Sequence, residues 1–543
     1  VRIRSKRWST TRAILAVAVA ASLAVSGCSM DGARTVNKTG PDAVIRAFAG
    51  EPQNGLVPTD TNEQMGGRML RALFTGLYEY QADGTAELAN AEAVDTTDNK
   101  HFTVKLKRDW TFTDGTPVKA SNYVRAWNFG ANVKNLQKQQ DFFAAIDGFE
   151  DVAKKGSTVD EMRGLKVIDD YTFTIDLTEP NIDFKLSLGH YPFMPLPDVF
   201  FTEGKDKFGQ NPIGNGQYKM TQWRHNVQAD FVRNNDYKGP KPKNGGLSFV
   251  LYATQDAAYA DLQSGNLDVM EILPPSAQRS YKKVLGARAM ERSTAQTQAF
   301  SIPEYLDHFK YDEEGRLRRQ AISMSIDRQL IIDKVFFGSR KPALEFTARS
   351  IPGWNPNIPG NETVKYNPEK AKQLWAQANA IRPWSGTLPI AYNTDGGHQT
   401  WIEAVTNQIK NTLGIEAIGK PYATFKQIRT EVTARSLTSG ARTGWQADYP
   451  SLLNFLGPQY LSTGSSNDPV YNNPEYDAKI RAAEQVTDPA ASNRLANEAQ
   501  EILLRDMPVV PLWDYFAVGA RGEGVQSTLT WNGEADYANT TKE

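Results

Sequence analysis

The chain holds a single cysteine, Cys28, just beyond its one long apolar run, Ala13 to Val25. One thiol excludes an internal disulfide framework, a cysteine-rich zinc module and an iron–sulfur cluster together. Whatever this sequence folds into is therefore held by hydrophobic cores. Its 543 residues exceed what one ordinary core encloses and suit two or three domains. Lys plus Arg number 61 against 62 Asp plus Glu, and Arg2, Arg4, Lys6, Arg7 and Arg12 crowd the start, so the remainder is mildly acidic. That sign supplies no field for tracking phosphates, and no nucleic-acid partner is expected.

The basic stretch to Arg12 and the apolar Ala13–Val25 have the form of a secretory signal, since the apolar part falls short of the ~20 residues of an untilted membrane span. It ends in Val25-Ser26-Gly27-Cys28, which resembles a bacterial lipobox, where small residues admit the signal peptidase and the thiol takes a diacylglyceryl group. Residues 1–27 are then a lipoprotein signal peptide. Residues 28–40 are a tether, and two or more acyl chains on Cys28 give stable anchoring to the outer face of a membrane. A plain signal peptide with a chance cysteine, or a short anchor helix, are the alternatives.

Along the remainder, Val44–Phe48 reads as a buried strand, Gln64–Tyr78 as a helix, and His101–Leu106 and Trp110–Thr113 as two strands. Ser121 is the expected N-cap of a helix Asn122–Phe129. Tyr171–Leu177 alternates as a strand, and Pro192, Pro195 and Pro197 suggest a connection between lobes. Tyr218–Val232 and Leu247–Tyr252 are strands, and Ala257–Ser264 is a helix closed by Gly265. From about Phe300 helices and strands alternate: a helix Leu317–Phe337, another opened by Asn367-Pro368, a strand Leu388–Tyr392, a helix Trp401–Leu413 and a strand Ile415–Ile418. Asp488-Pro489 opens a last long helix, and Val509–Trp513 is an apolar strand.

Catalytic patterns give little. Gly414–Lys420 matches G-x-x-x-x-G-K, but Pro421 stands where a phosphate loop needs Ser or Thr and deletes an N–H, so the glycines are read as bordering a strand. Asp169-Asp170 and Glu313-Glu314 are adjacent carboxylates that point apart on a strand. The five histidines (His101, His190, His225, His308, His398) show no metal-ligand spacing. No cofactor and no metal are expected.

Five segments carry a resemblance in order: Phe102–Ala120 (FTVKLKRDWTFTDGTPVKA), Pro212–Lys219 (PIGNGQYK), Ala257–Asp268 (AAYADLQSGNLD), Leu317–Ala343 (LRRQAISMSIDRQLIIDKVFFGSRKPA) and Gly444–Pro450 (GWQADYP). Together they resemble the family 5 solute-binding lipoproteins of oligopeptide/dipeptide ABC importers, over nearly all of the mature chain. The resemblance implies an α/β, type II periplasmic-binding-protein fold with two hinged lobes plus an inserted extra domain. It implies a discontinuous first lobe (41–80, 213–300 and 517–543), an inserted domain (81–212) and a second lobe (301–516). It also implies a monomer without enzymatic activity, which captures peptide outside the membrane and delivers it to permease and ATPase subunits.

A peptide buried in a cleft needs its backbone paired and its ammonium matched by an anion, because an unpaired buried charge costs several kcal/mol. The resemblance puts Asp448 against the ammonium, Gly444 and Gln446 in main-chain pairing, and Trp445 as an aromatic wall. Arg442 falls where an arginine meets a ligand carboxylate. Arg429 and Tyr422 match pocket positions, and Glu51, Gln53 and Asn54 match a first-lobe loop beside the ligand. Dipeptides, nickel chelates or oligosaccharides are alternative cargoes on the same fold, and a lipid-anchored cell-wall hydrolase is the alternative from another class.

Overall fold

A computed structural model describes residues 39–394 and 397–543. The expected signal segment 1–27, Cys28 and the tether as far as Lys38 lie outside the described residues.

One large mixed sheet runs through the molecule. Its strands lie in the order Glu416–Tyr422, Thr387–Asn393, Gly440–Gln446, Ala289–Ser301, Val509–Arg521, Val269–Met270, Val44–Ala49, Gly246–Leu251, Gln228–Arg233 and Tyr218–Arg224, with Arg340–Pro342 added beside Val509–Arg521. Val44–Ala49 has parallel neighbours on both edges and is buried along most of its length, which is why it reads as a mostly apolar run broken only by Arg46. A separate four-stranded antiparallel sheet is ordered Ala91–Asp95, His101–Leu106, Thr172–Asp176, Leu165–Asp169.

Ala289–Ser301 and Val509–Arg521, 13 residues each, pair antiparallel through the middle of the large sheet. The hydrophobic packing changes hands along them. Met290 belongs to a core with Ile45, Trp127 and Phe249, whereas Ala295, Phe300 and Trp513 belong to another with Ile322, Val405 and Leu503. The changeover coincides with an irregularity in pairing: Ser293 faces Phe516 but Thr297 faces Asp514, so one strand carries extra residues there. Bulges of this kind bend a strand pair and increase its local twist.

The Pro-Ile-Gly-Asn-Gly segment has a mechanical purpose. A Cβ on Gly214 would come within 1.9 Å of the Leu73 carbonyl oxygen, so only glycine admits this approach. Gly216 N–H donates to Leu73 O at 2.8 Å, and the Asn215 side chain both accepts from Thr75 N (3.0 Å) and donates to Thr75 O (2.8 Å). The helix Gln64–Leu73 ends there, five residues before Tyr78, and Tyr78–Tyr80 is a strand.

Other expectations are corrected. Trp110–Thr113 is no strand: Phe112 N–H closes on Thr116 O at 2.8 Å around the Asp114-Gly115 turn, leaving an isolated bridge from Thr111 to Pro117. The next helix spans Ala120–Ala131, beginning before Ser121, and its Asn122 carboxamide accepts from Lys119 N–H at 2.8 Å. Leu317–Phe337 is two helices, Glu313–Met324 and Arg328–Val335, because the Asp327 carboxylate caps the second through Leu330 N–H at 3.0 Å. The prolines at 192–197 do not bridge the cores: Phe193 and Leu196 are buried within the first, and Trp127 Nε1 donates to Phe193 O at 3.0 Å. Gly414 (φ +71) ends the helix Gln399–Leu413, while Gly419 lies inside the following strand.

Trp513 is buried and meets Phe336 and Trp401 edge-on, with ring centroids 5.0 and 5.5 Å away. Trp513→Ala is expected to remove about 3–5 kcal/mol of unfolding free energy. Urea denaturation followed by circular dichroism measures it, and a loss below about 1 kcal/mol would contradict the packing described.

Candidate functional site

The helix Gln64–Leu73 opens at Glu63, whose carboxylate accepts from Met65 N–H (2.7 Å) and Gly66 N–H (2.8 Å). Its buried face, including Met69, Leu70 and Leu73, fixes the helix on the first core. Gln64, Arg68 and Arg71 then project into a cavity of about 350 Å³. The other walls come from residues 74–80, 189–194 and 530–538, and from Gln446, Ala447 and Asp448 on the far side. Gln64 Nε2 donates to Gln446 Oε1 at 2.9 Å across the gap.

The two cavity arginines are already neutralised. Arg71 pairs with Glu534, Nε to Oε2 at 2.9 Å, and Arg68 pairs with Glu271 at 3.2 Å. Burial opposes the Arg68 charge, but Glu271, Tyr537 and Glu534 together outweigh it and hold its pKa above the ordinary value. His190 is pushed down to about 3 by burial and then by Arg71, so its ring is neutral. Glu79, which accepts from Gln217 Nε2 at 3.1 Å, is pushed up to about 7 by burial, with a hydrogen bond from Tyr237 acting the other way.

Asp448 is different. Its side chain accepts from Asn454 Nδ2 at 3.2 Å, and its N–H donates to Asn454 Oδ1 at 3.1 Å. Among the described residues no cation stands within ion-pair distance of it, and burial lifts its carboxyl to about 6 against the pull of Asn454. Trp445 Nε1 also donates to Asn454 Oδ1, at 3.2 Å, while the indole packs on the second core. Asn454 thus orients both residues. Sequence reasoning missed it, although its place in the first turn of the helix Leu452–Tyr460, six residues beyond Asp448, was the available signal.

The strand carrying Trp445 has one edge open. Its partner Ala289–Ser301 pairs with residues 441 to 446, but Thr387–Asn393 pairs with Gly440 and Ala441 alone. Ala447 N–H donates toward Ala295 O at 2.8 Å, and in an antiparallel ladder alternate residues point to opposite edges. The backbone N–H and C=O of Gly444 and Gln446 therefore face the open edge.

The remaining expected residues stand apart from this cavity. Arg442 Nε donates to Asn393 Oδ1 at 2.7 Å, with its guanidinium 4.0 Å from the Phe425 ring centroid. Arg429 pairs with Asp468 at 2.5 Å, and Tyr422 OH donates to Glu431 at 2.6 Å. Glu51 accepts from His225 Nδ1 and Asn226 N–H, both at 2.7 Å. Asn54 accepts from Lys138, and Gln53 is exposed. Among the described residues no group of three His, Cys, Asp or Glu side chains is placed to hold a metal.

Two lobes joined by paired strands, with a walled cleft and an unpaired carboxylate between them, define a binding protein that encloses its ligand. The sequence profile of "Bacterial extracellular solute-binding proteins, family 5 Middle" matches residues 85–467, and the chain belongs to that family. The oligopeptide-binding protein OppA of Bacillus subtilis (strain 168) is 24% identical over 96% of this chain and 97% of that protein. The periplasmic oligopeptide-binding protein OppA of Escherichia coli (strain K12) is 26% identical over 95% and 94%. The fold matches the unliganded open form of the murein tripeptide-binding protein MppA with a TM-score of 0.80, at 24% identity over 92% of this chain and 97% of that one. It also matches Haemophilus influenzae OppA in complex with RPPGFSPFR, with a TM-score of 0.70, at 24% identity over 93% and 100%.

The raised Asp448 pKa has a stability consequence whose sign follows from proton binding. The folded chain binds that proton more tightly than the unfolded chain, so stability falls as pH rises from the unfolded value of ~4 to about 6, and the full cost applies above. Asp448→Asn is expected to raise stability by about 1–2 kcal/mol at pH 7.5 and to match the parent near pH 4. Urea titrations of both proteins across this range test it, and an Asn variant that is less stable than the parent at pH 7.5 would reverse the assignment.

Proposed function

We propose that this chain captures oligopeptides outside the membrane and hands them, unaltered, to an ABC permease with its ATPase subunits. The observation that carries this reading is Asp448: a carboxylate lining the cleft, with an amide partner and, among the described residues, no cation, beside a strand edge whose Gly444 and Gln446 main-chain groups are turned outward. A peptide supplies what both lack, an ammonium at one end and a backbone that extends a sheet. The named relatives support the same cargo, since two are called oligopeptide-binding proteins and one solved structure holds a peptide.

In this reading residues 41–80, 213–300 and 517–543 form the first lobe, 81–212 the inserted domain and 301–516 the second lobe. The protein works as a monomer, held at the outer face of the membrane through lipid on Cys28. Trp445 serves to hold Asn454, and through it Asp448, as well as to wall the cleft. Arg442 and Arg429 contribute by shaping the second lobe, since their guanidinium groups are engaged there by Asn393 and Asp468.

Isothermal titration with trialanine tests the reading. The parent is expected to bind it, and Asp448→Ala to weaken binding about 100-fold or more, the scale of stranding a buried charge. N-acetyl-trialanine, which has no ammonium, should show the same loss with the parent protein. Equal affinity of the parent and Asp448→Ala for trialanine would remove the peptide assignment.

A further inference from the structure

Two loops leave the four-stranded sheet side by side, since His101 pairs with Asp176: residues 96–99 lead into His101–Leu106, and residues 177–183 follow Thr172–Asp176. Asn181 N–H ties them together by donating to Asn99 O at 2.8 Å. Both loops meet the end of the helix Pro474–Gln485, whose Tyr476, Ile480 and Ala483 pack in the second core. Ile182 N–H donates to Glu484 O, and the Asn99 carboxamide to Val486 O, each at 2.8 Å. The last carbonyls of a helix have no partner within it, so donors from one half of the molecule complete a helix end of the other. Ile182 packs against the second core, whereas Phe184 belongs to the first.

The charge at this contact is largely of one sign. Burial pushes the Asp183 carboxyl up to about 6, with the Ser451 hydroxyl acting the other way, and its Oδ2 is buried with no hydrogen-bond partner. Glu484 is pushed up to about 7 by burial and then by Asp183, with Arg481 opposing. The helix C-terminus that both loops meet adds partial negative charge. The other titratable groups facing the pair are Tyr80, Tyr449 and Tyr476, whose hydroxyls burial holds well above their ordinary range and therefore neutral. Arg481 is exposed, and among the described residues no cation lies within ion-pair distance of either carboxylate.

We propose that this contact is a pH-dependent latch on the cleft: it fastens the two halves while Asp183 and Glu484 are not both ionised, and loosens once both carry charge. The latch stands beside the cleft, since Asp183 shortly precedes the wall residues 189–194 and Ser451 follows just after Asp448. Undocking it frees one wall from the other. The sign follows from proton binding. Both carboxyls hold their protons more tightly in the contact than in water, so fastening weakens as pH rises from the free value of ~4 to about 7 and carries its full cost above. The latch requires only that the halves move apart, whatever the cargo.

Double electron–electron resonance on the Cys28→Ser chain, spin-labelled at Lys155→Cys and Lys426→Cys, reads the ratio of closed to open molecules without ligand; both label positions are exposed, one on each half. That ratio is expected to fall about 10-fold or more between pH 5 and pH 8. Asp183→Asn combined with Glu484→Gln should hold the fall below about threefold. Asp448→Asn, which removes the raised carboxyl of the cleft itself, should leave the fall as large as in the parent. A parent ratio that changes less than about threefold overturns the latch, as does a fall that survives the paired substitution or disappears with Asp448→Asn. Because no ligand is present, these outcomes are independent of the trialanine titration: a chain that shows the fall but binds no trialanine keeps the latch and loses the peptide reading.

Discussion

The antiparallel ladder between Ala289–Ser301 and Val509–Arg521 carries main-chain hydrogen bonding from one hydrophobic core into the other. A ladder resists shear and stretching but bends where its register is broken, and the break between Ser293 and Thr297 falls where the packing changes from one core to the other. The second core clamps its side of the ladder through buried arginines. Arg319 Nη1 donates to Ile302 O at 2.7 Å, and Arg328 Nε donates to Pro511 O at 2.8 Å. Burial lowers the Arg328 pKa to about 9, with Asp327 opposing, yet backbone carbonyls fill its donors. These arginines tie the strands to the second core on one side of the break.

Charge in the cleft is arranged as asymmetrically as the backbone. The cations on the helix Gln64–Leu73 are offset by Glu271 and Glu534 from the same half of the molecule, so they leave no net demand for an anion. Asp448, from the other half, is supported by an amide that orients it without cancelling it. Burying a carboxylate this way costs stability, and the cost disappears only when a cation arrives. In the peptide reading that cation belongs to the ligand, so the same carboxylate destabilises the empty cleft and stabilises the filled one.

How much of this was legible depended on whether the information was local. The α/β alternation beyond Phe300 was readable because several helices there carry a cap in sequence, such as Asn367 accepting from Lys370 N–H or Asp488 from Ala491 N–H. The strand Val509–Arg521 was read to Trp513 only, because its apolar run ends where Asp514, Tyr515 and Phe516 begin to face a second cavity or the crossing strand. The helix Gln64–Leu73 was read too long, since what ends it is Gly216, distant in sequence and bonded to the Leu73 carbonyl. Asp448 and the Gly444–Gln446 edge were singled out by resemblance; in the structure Gln446 and Asp448 line the cavity, and Gly444 lies two residues back along the same strand. Arg442 and Arg429 were read as ligand-facing by resemblance; the contacts the structure shows for them, Arg442 with Asn393 and Arg429 with Asp468, join residues distant in sequence that nothing local pairs.

Asn454 shows why the site needs the second core intact. An aspartate held by one flexible amide would wander by more than a hydrogen-bond length, and the gain from meeting a cation would be spent on ordering it. Here the amide oxygen takes two donors, the Trp445 indole N–H and the Asp448 backbone N–H, and the amide nitrogen is left for the carboxylate. Asn454 is buried on a helix whose neighbours Leu453, Phe455 and Leu456 pack into the second core, so the orientation of Asp448 is inherited from hydrophobic packing. In the peptide reading the carboxylate is thus pre-set before a ligand enters, so little of the binding gain is spent on ordering it.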